Sequence, residues 1–204
     1  MHIRSEALPY ALPGAVAAAV AAAAGRPWFA CALTLLAVAL GAFFRDPERS
    51  SDAPTGAVLS PADGRVVEVR SEGDGLHLAI FLSVFNVHVT RAPLAGDLRV
   101  WERIAGGYAM AFRAAASHNA RHRVVVETAH GSFELALIAG AVARRVVPFV
   151  APPETLQRGQ RIALIKFGSR AELHLPAGYS AVVSVGDRVR AGTTVVAAPS
   201  SGTP

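Results

Sequence analysis

Apolar positions change their spacing near residue 48, and the two spacings predict two kinds of structure. Leu12 to Ala24 is an almost unbroken run of Ala and Val, Gly25-Arg26-Pro27 interrupts it, and Trp28 to Phe44 is a second run that stops at Arg45-Asp46-Pro47. Two helices joined by a turn account for this pattern. A membrane-crossing helix needs roughly 20 apolar residues, so the second run is marginal and the Ala-rich first run is short. A hairpin embedded in one leaflet, or a thin two-pass hairpin, fits better than one clean span. A cleaved signal peptide and a buried helical pair in a soluble core stay open as readings of the same residues. A signal peptide leaves a second apolar helix exposed on the mature chain, whereas membrane attachment explains both runs. Arg4, Arg45 and Arg49 flank the outer ends, which places those ends on the cytoplasmic side, with Arg26 at the turn as the dissenting charge.

From Ala57 onward the pattern becomes short β-branched runs broken by Gly, Pro and Asp. Strands are predicted at 64–70, 76–82, 123–128 and 132–138, followed by 141–150, 161–167, 171–175, 181–185 and 193–197. No long amphipathic pattern interrupts the series. The predicted fold class is a mainly β domain, a barrel or double-sheet arrangement of barrel-sandwich type, preceded by an N-terminal α-helical membrane hairpin. Its first strand, after Ser60-Pro61-Ala62-Asp63-Gly64, is expected near the last ones. The organisation read from this is a hairpin over 1–48, a β-rich catalytic domain over 49–198 and a disordered Ser- and Pro-containing tail over 199–204.

Composition narrows the chemistry. The net charge of +5 over 204 residues favours anionic partners. The cations are scattered arginines with Lys166 as the only lysine, which argues against nucleic acid and leaves an anionic membrane surface. A single cysteine, Cys31, cannot build a disulfide or a multi-thiolate metal site. No Walker loop or nucleophile elbow is present. The pair His118 and His122 lacks the Glu of a zinc-protease helix, so no metal is expected and the two read as surface or hydrogen-bonding histidines.

Gly168-Ser169 sits inside the otherwise strand-like Ile165-Lys166-Phe167-Gly168-Ser169-Arg170, where Gly marks a bulge or a close backbone approach. Taken alone, the pair reads as a bulge or turn. Asp63 and His88 supply the other two members of an Asp-His-Ser set, which gives the pair a chemical reading as well.

Six ordered motifs carry a family resemblance. They are Phe43-Phe-Arg-Asp-Pro-Glu-Arg49, Ser60-Pro-Ala-Asp-Gly64, Phe81-Leu-Ser with Asn86-Val-His-Val-Thr-Arg-Ala-Pro93, Asn119-Ala-Arg121, Ile165-Lys-Phe-Gly-Ser169, and Val185-Gly-Asp-Arg-Val-Arg-Ala-Gly192. Through them the chain resembles the short, membrane-associated form of the phosphatidylserine decarboxylases, which are pyruvoyl-dependent carboxy-lyases. Two positions depart from the wider family pattern. The long form carries a second His where this chain has Arg91, and the family's Asn-Glu-Arg appears as Asn119-Ala120-Arg121, without its acidic member.

The resemblance implies a zymogen that cuts itself between Gly168 and Ser169 into a β chain (1–168) and an α chain (169–204). Ser169 attacks the Gly168 carbonyl and becomes the N-terminal pyruvoyl cofactor, with His88 as base and Asp63 orienting it. The pyruvoyl group then decarboxylates phosphatidylserine to phosphatidylethanolamine through a Schiff base. Arg91 and Arg121 are the expected substrate contacts, and homo-oligomer formation is left open. The alternative is a non-catalytic, membrane-anchored barrel-sandwich carrier or binding module, for which Lys166 is the only attachment lysine.

Overall fold

The structure, a computed structural model, describes residues 2–73, 75–107, 119–139, 145–166 and 169–200, leaving out the side chains of Glu72, Ala139 and Ser169. The chain divides into two compact units, Met1–Glu48 and Arg49–Pro204.

The first unit holds a two-stranded ribbon, β1 (His2–Ile3) with β2 (Arg45–Asp46), and two helices, α1 (Leu8–Ala23) and α2 (Pro27–Phe43). Helix α1 begins earlier than the Ala-Val run predicts, because Pro9 occupies its first turn, where the missing N–H has no helical acceptor. With the 3-10 turn Ser5–Ala7 it forms Ser5–Ala23, long and apolar enough by length and composition to cross a membrane, while Pro27–Phe43 is shorter. Ala18 and Ala21 of α1 and Ala30, Ala37 and Gly41 of α2 are buried. A Cβ on Gly14 would lie 3.3 Å from Ala37 Cβ, so the helix backbones approach closely there. The large residues Leu8, Leu12, Val16 and Val20, at every fourth position, are exposed.

The second unit is mainly β, in agreement with the predicted class. Among the described residues its central sheet has eight strands: β11 (Glu154–Leu156), β7 (Gly96–Ile104), β8 (Arg121–Thr128), β9 (Gly131–Ala139), β13 (Ser169–Leu175), β5 (Gly75–Leu82), β4 (Gly64–Glu72) and β15 (Arg188–Val189), in that order. Two three-stranded sheets accompany it. One is β10 (Val146–Pro148), β12 (Arg161–Ile165) and β6 (Val89–Arg91); the other is β14 (Tyr179–Ala181), β16 (Val195–Pro199) and β3 (Val58–Leu59). Period-two alternation builds the core: Leu76, Leu78, Ile80 and Leu82 of β5, Leu173 and Leu175 of β13, and Phe133, Leu135 and Leu137 of β9 form one buried cluster with Ile162 and Ile165. As expected, the first and last strands meet, with Arg65 opposite Arg188 and Leu59 opposite Val195.

Four expectations shift. Strand β7 escapes the sequence pattern because a bulge between Leu98 and Val100 reverses its alternation, so Leu98 and then Trp101 face the core. The predicted strand 181–185 ends at Ala181, leaving Val182 and Val185 exposed in the following turn. Within 141–150 the strand is Val146–Pro148, and residues 141–144 lie outside the described residues. Pro199, expected in the tail, closes β16 opposite Tyr179, and 201–204 lie outside the described residues.

Candidate active site

Asp63 is held by segments distant in sequence. Arg49 grips its carboxylate with two guanidinium nitrogens, Nη2 donating to Oδ2 at 2.9 Å, while the Ala191 amide donates to Oδ1 at 2.8 Å. Gly192 N donates to Ser60 O and Arg91 N to Pro61 O, so the Ser60–Gly64 turn is fixed on both sides. Gly64 begins β4 so close to Phe81 that a Cβ there would lie 2.0 Å from the Phe81 carbonyl oxygen, which explains the Asp-Gly step.

His88 is fully buried, and its Nδ1 lies 3.0 Å from the Asn86 carbonyl oxygen. A carbonyl only accepts, so Nδ1 carries a hydrogen, and the tautomer set by this bond is the one whose basic lone pair is on Nε2. Asn86 is itself set by its side-chain oxygen, which accepts from Ser83 N at 2.9 Å and Ser83 Oγ at 2.8 Å. Among the described residues no direct hydrogen bond joins Asp63 to His88. The hydrogen bonds of Asp63 go to Arg49 and Ala191, and the Asn86 carbonyl orients the imidazole.

Backbone pairing brings His88 to the Gly-Ser segment. Ile165 N donates to His88 O at 3.1 Å, and Ser169 opens β13 opposite Leu82 on one side and Ala139 on the other. The stretch from Leu82 to His88 therefore lies against both described ends of the stretch from Ile165 to Ser169. The chain also changes sheets there, from β12 to β13. Gly168 and Phe167 lie outside the described residues.

A cavity of about 620 Å³ adjoins this region, and its lining includes Asp63, Ser83, Asn86, Arg65, Arg188 and Arg190. Arg91 and Arg121, the expected substrate contacts, are not among its lining residues. Arg91 is buried in β6, with Nη1 donating to Gly159 O at 3.0 Å, and Arg121 opens β8 opposite Ile104 and Ile138.

The comparisons with known proteins bear on the same residues. A family model described as phosphatidylserine decarboxylase matches residues 36–197. The chain belongs to the phosphatidylserine decarboxylase family. It is 42% identical over 200 residues to a phosphatidylserine decarboxylase proenzyme of Streptomyces griseus, covering 95% of this chain and 92% of the relative. A proenzyme of the same name from Burkholderia vietnamiensis is 42% identical over 177 residues, 83% of each chain, and one from Streptomyces coelicolor 45% identical over 166 residues, 81% of this chain and 75% of the relative.

Within this decarboxylase-family fold, Asn86 and the three cavity arginines are the residues that the sequence alone does not single out, while Arg49, expected as a charge flanking the hairpin, is instead bonded to Asp63. Arg49, Arg188 and Arg190 lie inside the family motifs, and Arg65 directly follows another, but a scattered arginine carries no signal until the sheet register aligns it. Lys166 is buried, which removes the exposed turn lysine that a carrier module requires. His122 is a hydrogen-bonding histidine: Trp101 Nε1 donates to its Nδ1 at 2.9 Å, and burial, with Arg103 nearby, holds its pKa below the usual value. His118 lies outside the described residues. The ligand atoms of His77, Glu172 and His174 cluster within 4.8 Å, at strand positions that alternate with the core leucines of β5 and β13. Arginines already meet this cluster, Arg170 Nε at 2.7 Å from Glu172 and Arg70 Nη2 at 3.2 Å from His77.

Proposed function

We propose that this chain is a self-processing, pyruvoyl-dependent phosphatidylserine decarboxylase that cuts itself between Gly168 and Ser169. The observation that carries the reading is the pairing of the Leu82–His88 stretch with both described ends of the Ile165–Ser169 stretch, which brings the base-bearing and hydroxyl-bearing segments together.

His88 Nε2 takes the Ser169 hydroxyl proton as Oγ attacks the Gly168 carbonyl, and the peptide becomes an ester. Loss of the Ser169 α-proton then expels Oγ with Gly168 as a carboxylate, ending the 1–168 chain. The dehydroalanine left at 169 takes up water and releases ammonia, which makes the new chain end a pyruvoyl group. Asp63 positions the site by tying Arg49 and the Ala191 amide together, and Asn86 fixes the tautomer of the base. Strand β13 begins at the new end and pairs with β5 and β9, while β15 pairs with β4 and β16 with β3, so strand pairing holds the two chains together after the cut.

The residues suit the group they would carry, because a ketone at 169 lies at the start of a strand held on both sides, with a buried histidine on the adjoining segment. The pyruvoyl ketone supplies an electrophile for the substrate amine and a sink for the electrons released with carbon dioxide. Arg65, Arg188 and Arg190 bind the anionic headgroup in the cavity, the role first expected of Arg91 and Arg121. The hairpin anchors the protein at the cell membrane, and Arg4 and Arg45 at its outer ends hold the catalytic unit on the cytoplasmic side.

The test is release of labelled carbon dioxide from carboxyl-labelled phosphatidylserine in mixed micelles, with and without prior borohydride reduction. Phosphatidylethanolamine formation abolished by the reduction is the expected result. Turnover that survives it contradicts a ketone cofactor.

A further inference from the structure

Among the described residues of Arg49–Pro204, the large hydrophobic side chains left exposed are Val84 (52%), Phe85 (84%), Val182 (56%) and Val185 (62%). Every other exposed large hydrophobic belongs to the hairpin unit. The four occupy two turns, one between Leu82 and His88 and one between β14 and β15. Both turns lead into the lining of the arginine cavity. Ser83 and Asn86 bracket Val84-Phe85, and Arg188 follows Val185 by three residues. The second turn is tied to β4, since Gly186 N donates to Val66 O at 2.8 Å and Val66 N to Asp187 O at 2.9 Å. Arg65, Arg188 and Arg190 are exposed, and no acidic side chain pairs with them among the described residues.

An isolated exposed valine needs no explanation, but an exposed phenylalanine and three exposed valines in two turns beside the same cationic cavity form a pattern. Apolar tips beside arginines match the two layers of an anionic bilayer surface, acyl chains beneath and phosphates above. A protein partner would account for the apolar tips but not for three unpaired cations around a concave site.

We propose that these two turns form a membrane-docking surface of the β unit, with Val84-Phe85 and Val182/Val185 entering the acyl boundary and Arg65, Arg188 and Arg190 meeting anionic headgroups. This rests on the lipid-substrate reading above and adds to it a second membrane contact besides the hairpin. The wedge sits on the turn that carries Asn86 and leads to His88, so docking brings the headgroup layer to the candidate base.

The experiment uses the full chain with Cys31→Ser, carrying a nitrobenzoxadiazole label at Phe85→Cys or, as a second tip position, Val185→Cys. His130→Cys, in the exposed β8–β9 turn, is the control. The labelled proteins are reconstituted in phosphatidylcholine vesicles with or without phosphatidylglycerol, using lipids spin-labelled on the acyl chain. The expected result is quenching of the tip labels by at least about twofold in the anionic vesicles, little at position 130, and loss of the anionic enhancement in Arg188→Ser/Arg190→Ser. Tip labels as accessible to water as the label at 130 overturn the proposal, and so does quenching only when a cell extract is added, which would indicate a protein partner. The readout needs no turnover. A chain that inserts its tips but forms no phosphatidylethanolamine fails the activity reading alone, and one that turns over with unquenched tips fails this proposal alone.

Discussion

In the hairpin unit Ala18, Ala21, Ala30 and Ala37 are buried while Leu8, Leu12, Val16, Val20 and Trp28 are exposed; in the β unit Leu78, Leu82, Leu135 and Leu137 are buried, and among the described residues the large exposed hydrophobics lie in two turns. The same residue types are thus sorted in opposite directions within one chain. In water, a leucine side chain gains roughly 1.5–3 kcal/mol by being buried, so an exposed row of them is not what aqueous folding selects. In hydrocarbon that gain disappears, and close approach of small residues becomes the main source of helix contact. The contrast is what the proposed membrane hairpin, beside a β unit with an ordinary hydrophobic core, predicts.

The largest effect is expected at the site the β unit supports: His88→Ala should slow self-cleavage by about 10²-fold or more, read as the fraction of two-chain protein on a denaturing gel over time. A variant that processes at the normal rate removes His88 from the mechanism. Arg49→Ala should destabilise the β unit by about 3–5 kcal/mol, because it strands the buried Asp63 carboxylate. Denaturant unfolding in detergent measures this, and the double variant Arg49→Ala/Asp63→Asn should recover part of the loss.

Leu135→Ala should cost about 2–5 kcal/mol as a core cavity, whereas Leu12→Ala in the hairpin should change detergent-phase stability by less than about 0.5 kcal/mol. Gly14→Leu should reverse that asymmetry by wedging the helices at Ala37, at a cost of about 1–3 kcal/mol. Equal sensitivity at Leu12 and Leu135 would break the two-solvent account.

The smallest expected effect concerns pH. His122 has a lowered folded-state pKa, so its contribution to stability is present above the unfolded value near 6.5 and is lost as pH falls below it. The wild type should lose more thermal stability between pH 7.5 and pH 5.5 than His122→Gln, and parallel curves would contradict the assignment.

Much of this was legible in the sequence, for identifiable reasons. Strands such as 76–82 alternate cleanly because one face is core, and the Ala-Val and Trp28–Phe44 runs announce helices by length. Strand β7 was hidden by its bulge, and β3, β6, β11 and β15 are too short to leave a periodic trace. At the site, Asp63, His88 and Ser169 were each visible as motif members. Their partners were not, because the contacts that fix them, Arg49 to Asp63 and the Asn86 carbonyl to His88, depend on a guanidinium and a backbone oxygen. Neither has a residue-type signature at that spacing.

The most direct test of self-processing is the intact mass of the purified, detergent-solubilised chain beside Ser169→Ala. The account predicts two chains for the wild type, one ending at Gly168 as a free carboxylate and one beginning at 169 with a pyruvoyl group, and a single uncut chain for the variant. An uncut wild type, or a Ser169→Ala variant cut at the same place, would contradict it.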